Sequence, residues 1–116
     1  MELTSKHMEK IYKDIQRINK LDPATPAERL CKLFEESGEL AQAVNKKIGR
    51  KVVTETDEEV RDLILEEASD TIQCVISLID SWGITYDELI EKISSKNIKW
   101  EKVINSRRNE VETKNK

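Results

Sequence analysis

The chain has 116 residues and a formal net charge of −3, with 37% charged and only 4% aromatic residues. That length holds one domain with a modest core, and the balance, with three glycines and two prolines, suits a helical protein better than a sheet protein. The charge excludes a global basic field for a nucleic-acid polymer, no apolar run approaches the roughly 20 residues of a membrane span, and the N-terminus "MELTSKHMEK" has no apolar signal core.

Helical periodicity opens with Met8, Ile11, Tyr12, Ile15 and Ile18, which predict a first helix over about residues 4 to 20. His7, the only histidine, reads as a surface residue of that helix. The segment "LDPATPAERL" breaks it. Thr25, Pro26 and Glu28 then supply an N-cap, a first-turn proline and a capping-box acid. A second helix follows from about Pro26 to Ile48 and stops at Gly49. The basic link "GRKVVTET" comes next, with Val52 and Val53 as a short extended piece. Thr56 and Glu59 form another capping box, opening a third helix from about Asp57 to Ser81, with Gly83 as its stop. Trp82 is expected to pack at that helix end. Thr85 and Glu88 open a fourth helix, from about Tyr86 to past Lys102. The domain is expected over residues 1–104, with residues 105–116 a polar, frayed tail.

Short links make neighbouring helices antiparallel, so the expected fold is an all-α, four-helix antiparallel bundle. Leu63, Ile64, Ala68, Ile72, Val75, Ile76 and Ile79 cover more of the third helix than one buried face needs. That wide arc points to completion of the bundle by a second subunit, as a homodimer or higher homo-oligomer. Cys31 and Cys74 fall in helical patterns outside any C-x-x-C pair, which reads as two buried, reduced thiols of a cytoplasmic protein.

The chemistry concentrates in two acidic turns. Helix 2 carries Glu35, Glu36 and Glu39, and helix 3 carries Glu66, Glu67 and Asp70. A single such match carries little weight in a chain with 23 acidic residues, and either alone reads first as a solvated face. Their heights add weight. At about 1.5 Å per residue, Glu36 and Glu67 both lie roughly 15 to 20 Å from the turn that joins their helices, so an antiparallel pair brings them level. Glu67 also falls within the apolar arc of helix 3, where an unpaired carboxylate is costly, whereas Glu39 lies further round its own helix. Carboxylates brought level repel unless cations neutralise them. Oxygen ligands without histidine or cysteine suit Mg²⁺, with Mn²⁺ as a substitute. Without a Glu-x-x-His motif on these helices, a di-iron bundle is disfavoured.

Glu35, Glu36 and Glu39, about 27 intervening residues, and then Glu67 and Asp70 resemble the MazG-like all-α nucleoside triphosphate pyrophosphatases. Asn97, Lys99 and Trp100 in "KNIKWEKV" are similar to the family's downstream pattern; Lys102 and Val103 stand where many members have arginine. The resemblance spans about residues 26 to 103. It implies Mg²⁺-dependent cleavage of a (deoxy)nucleoside triphosphate between the α- and β-phosphates, giving the monophosphate and pyrophosphate. It also implies Glu36, Glu39, Glu67 and Asp70 as metal ligands and Glu35 as the residue that orients or deprotonates the attacking water. Glu66 has no matched role and reads as solvent-facing. Lys46, Lys47, Lys96 and Lys99 are candidate phosphate partners, and Trp100 is a candidate base platform. Alternatives are a phosphoribosyl-ATP or other nucleotide pyrophosphohydrolase, and a non-enzymatic helical interaction module.

Overall fold

A computed structural model describes residues 4–49 and 52–115 of the chain. It contains four α-helices, α1 (Ser5–Asn19), α2 (Pro26–Lys47), α3 (Asp57–Ile79) and α4 (Tyr86–Lys114), with one 3₁₀ turn at Asp80–Trp82. The chain divides into two units, one running through Gly83 and the other beginning at Ile84. The first holds α1 to α3 and the second is α4.

Local chemistry sets the helix starts. Thr25 Oγ1 accepts the Glu28 N–H at 3.2 Å, and Glu28 Oε1 accepts the Thr25 N–H at 3.2 Å. Thr56 with Glu59 and Thr85 with Glu88 repeat that reciprocal pairing. Each pair satisfies donors that the first helical turn leaves without an intrahelical acceptor. The first helix solves the same problem differently: His7 Nδ1 accepts the Thr4 N–H at 3.1 Å. The surface histidine is therefore a capping residue. At the other ends, Gly49 and Gly83 take positive φ of 78° and 69°, the left-handed conformation that glycine adopts without a Cβ penalty.

Two expectations about extent change. Helix α4 continues beyond residue 104 to Lys114, because Arg107, Arg108, Glu110, Glu112 and Lys114 are good helix formers and no glycine or proline interrupts them. Val52 and Val53 lie outside regular structure, and the described residues contain no strand; two residues with no partner strand have nothing to complete their ladder. Arg50 and Lys51 of the basic link lie outside the described residues.

Within the first unit, α2 and α3 run antiparallel. Arg29 near the start of α2 reaches Ser77 near the end of α3, while Glu36 meets Asp70 midway. Helix α2 buries Arg29, Glu36 and Ala43, one residue per heptad, as a single face packed on a neighbour requires. Tyr12 of α1 and Val60 of α3 are the most enclosed apolar residues, at 2% exposure each. Helix α1 is held against α3 by polar groups as well. Asn19 Nδ2 donates to the Ser77 carbonyl and to Asp80 Oδ2, both at 3.0 Å, and Gln16 Nε2 donates to Asp80 Oδ1 at 3.1 Å.

The apolar stripes are less enclosed than periodicity implies. Met8, Ile11 and Ile18 of α1 are more than half exposed, and so are Leu65 and Ile72 of α3. Trp82 is exposed rather than packed at the helix end. Cys31 is exposed and Cys74 half-buried; both are free thiols. Cys31 thus departs from the expected buried position, because the buried face of α2 passes through Arg29 and Glu36 instead. No helix of the described residues is long and apolar enough to cross a membrane.

Candidate metal centre

The acidic turns of α2 and α3 meet at one place. Glu36, Glu67 and Asp70 each offer a carboxylate oxygen, and these oxygens lie within 4.8 Å of one another. The antiparallel pairing produces this directly: Glu67 and Asp70 are three apart on α3, hence on one face, and Glu36 lies opposite on the buried face of α2. Glu36 is only 7% exposed. Its Oε1 receives the Lys32 ammonium at 3.0 Å, one turn back on the same helix. Its Oε2, and Glu67 Oε2, are buried and accept no hydrogen bond.

Buried carboxylate oxygens without donors are costly, the more so beside like charges. Glu39 registers the crowding. A hydrogen bond with the Glu67 carboxyl, followed by the charges of Glu36 and Glu67, raises its pKa from the ordinary 4.5 to about 7. Glu39 is itself exposed and stands outside the group of three. Across the cluster, Cys74 lies one turn beyond Asp70 on α3. Burial, then the nearby Glu36 charge, pushes its thiol above the ordinary 9.0. It is therefore protonated at neutral pH and a poor nucleophile.

The three carboxylates form a hard oxygen set with no nitrogen or sulfur ligand, which fits Mg²⁺ or Mn²⁺. The two donorless oxygens are where such a cation would satisfy the site. Glu35 is not one of the three: it is exposed and lies 3.8 Å from Lys32 Nζ. Glu66 is exposed, as expected.

The lysines divide. Lys46 is committed to Glu55, with Nζ to Oε1 at 2.6 Å, which neutralises much of its charge. Lys47 is exposed on the last turn of α2. Lys96, Asn97, Lys99 and Trp100 are all exposed on α4, in the second unit. Lys32 escaped sequence reasoning, although it contacts the cluster through Glu36. Its spacing of four from Glu36 and three from Glu35 is the signal that identifies it. Its pKa is raised by the hydrogen bond to Glu36 and then by the Glu35 charge.

Beside the carboxylates lies a cavity of about 350 Å³ lined by Glu39, Gln42, Ala43, Lys46, Leu63 and Glu67. Gln42 also escaped sequence reasoning, since an amide on a polar helix face carries no distinguishing pattern. No protein-family model, no curated protein and no solved structure matches this chain. Its class is defined by fold and site together: an all-α protein with a three-carboxylate cluster on an antiparallel helix pair.

Proposed function

We propose that the protein is a Mg²⁺-dependent nucleoside triphosphate pyrophosphohydrolase of the MazG-like kind, acting as a homodimer or higher homo-oligomer whose helices complete a four-helix bundle. The observation that carries this reading is the convergence of the buried, donorless oxygens of Glu36 and Glu67 beside Asp70. Glu36, Glu67 and Asp70 hold the cation, with Glu39 completing the set once deprotonated. A bound Mg²⁺ supplies charge neutralisation for the phosphates and acidifies a coordinated water. The chain's own residues do the rest. Helices α2 and α3 fix the carboxylates before substrate arrives, which lowers the reorganisation needed at reaction. Glu35 is exposed and free to swing from Lys32 towards an attacking water. Lys32, already in contact with the carboxylates, is the cation best supported as a phosphate partner in the first unit. Lys47, Lys96 and Lys99 remain partners by resemblance, as do Asn97 and Trp100 for the nucleoside.

Incubation with a panel of nucleoside triphosphates and Mg²⁺ tests the reading, with monophosphate and pyrophosphate as the measured products. Wild-type protein is expected to release pyrophosphate, and Glu67→Gln to lose that activity while keeping its helical circular dichroism. No release from any triphosphate, or full activity in Glu67→Gln, would leave the cluster without this role. A second reading, a helical interaction module, draws on α4, 29 residues long with none buried. It is favoured if the protein binds no divalent cation and releases no pyrophosphate.

A further inference from the structure

Lys32 holds one oxygen of Glu36, the most enclosed carboxylate of the three. Its Nζ lies 3.0 Å from Glu36 Oε1, and the Glu36 side chain is 9% exposed against 56% for Lys32. Glu36 Oε2 is buried and accepts no hydrogen bond. The two oxygens of one carboxylate are thus unlike: Oε1 is occupied by an ammonium, and Oε2 is left for a cation. Glu35 is a looser partner of Lys32, its Oε1 lying 3.8 Å from Nζ, beyond hydrogen-bond length. Helix stability gives the Lys32–Glu36 pair little reason to exist. A lysine four residues before a glutamate is the weaker order on a helix, since the reverse order complements the dipole. An ammonium beside a cation site also lowers cation affinity by like-charge repulsion. Control over how Glu36 binds offsets both costs.

We propose that Lys32 is a positioning residue that makes Glu36 a one-oxygen ligand, and that it thereby sets the site's choice of Mg²⁺ over Ca²⁺. The proposal rests on the cation site of the reading above. Coordination chemistry links its two halves. Mg²⁺ demands near-ideal octahedral geometry with oxygens at about 2.0–2.1 Å. Ca²⁺ takes about six to eight oxygens at about 2.3–2.6 Å, and accepts both oxygens of one carboxylate. With Oε1 held by Lys32, Glu36 cannot supply the second oxygen that the larger ion takes. An ammonium has three N–H groups, so this hold on Glu36 is compatible with contact to a phosphate.

Metal ions alone, without nucleotide, test the role. Mg²⁺ and Ca²⁺ are titrated separately into the metal-free full chain by calorimetry, and the ratio of their affinities is the readout. Wild-type protein is expected to bind Mg²⁺. Lys32→Met is expected to shift the ratio towards Ca²⁺ about five- to tenfold, an effect the size of one net hydrogen bond. A lysine acting through charge alone, or only on the fold, moves both affinities together and leaves the ratio unchanged. Lys32→Arg keeps a charged donor beside Oε1 and is expected to restore most of the wild-type ratio. Methionine and arginine are good helix formers, and helical circular dichroism establishes that both variants fold. An unmoved ratio in Lys32→Met, a Lys32→Arg ratio as low as that of Lys32→Met, or no Mg²⁺ binding by the wild type overturns the proposal. Pyrophosphate release by the wild type, with a ratio that Lys32→Met does not move, overturns the role of Lys32 and leaves the hydrolase reading standing. A ratio that moves and is restored by arginine, with no pyrophosphate release from any triphosphate, supports the role of Lys32 and overturns the hydrolase reading.

Discussion

Glu39 is where the electrostatic cost of the cluster becomes measurable. Its folded pKa of about 7 lies above the ordinary 4.5, so between those values the folded chain holds more protons than the unfolded chain. Stability from this group is fully present below the ordinary carboxylate range and is lost as pH rises through about 7. The metal-free protein should therefore melt at a lower temperature at pH 7.5 than at pH 5.5. Melts in the presence of a chelator check the sign, and Glu39→Gln should flatten the slope, because the amide does not titrate. An identical slope in that variant would assign the pH dependence to another group. Added Mg²⁺ should reverse the trend: deprotonated Glu39 then gains a counter-charge, and a ligand bound only by the folded state raises its stability.

At the scale of the element, the arrangement that brings the acids level depends on a residue outside the site. Arg29 is buried, with 9% exposure, and has no carboxylate partner among its hydrogen bonds. It donates instead to the Ala24, Asn19 and Asp22 carbonyls at 3.1, 3.2 and 3.1 Å and to Ser77 Oγ at 2.8 Å. One guanidinium thus ties the end of α1, the following turn and the last part of α3 to the start of α2. Its charge also lies at the carbonyl-rich end of α1, where the helix dipole favours a cation. Arg29→Met should cost about 3 to 4 kcal/mol, since it strands several buried acceptors at once, as measured by urea unfolding. Arg29→Lys should recover little of that, because an ammonium cannot present the same planar fork. A loss below about 1 kcal/mol would mean that water replaces the guanidinium at this position.

For the whole molecule, the proposed assembly has its support in uncovered apolar surface. Leu65 and Ile72 are one heptad apart on α3, on one face, and are 61% and 59% exposed; Phe34 of α2 is 70% exposed. Exposed apolar residues are ordinary singly; several large ones on neighbouring helices are the surface that the proposed assembly would cover. Light scattering should give at least a dimer, and Ile72→Glu should shift it towards monomer without reducing helical circular dichroism. A monodisperse monomer at high protein concentration would remove the basis for the assembly.

Much of this was legible in the chain itself, because caps and periodicity act over three or four residues. Thr25, Thr56 and Thr85, each with an acid three residues on, mark helix starts whatever packs against them. The level heights of Glu36 and Glu67 follow from rise per residue and an antiparallel turn. The place of Glu67 in the apolar arc and of Glu39 further round its helix was legible too, but tertiary packing decided that one oxygen each of Glu36 and Glu67 is left without a donor, while Glu35, next in sequence to Glu36, stays in water. Packing also tied Lys46 to Glu55, and it opened a cavity under Gln42. Local rules cannot reach these outcomes, because desolvation and charge pairing depend on side chains brought close from distant parts of the chain.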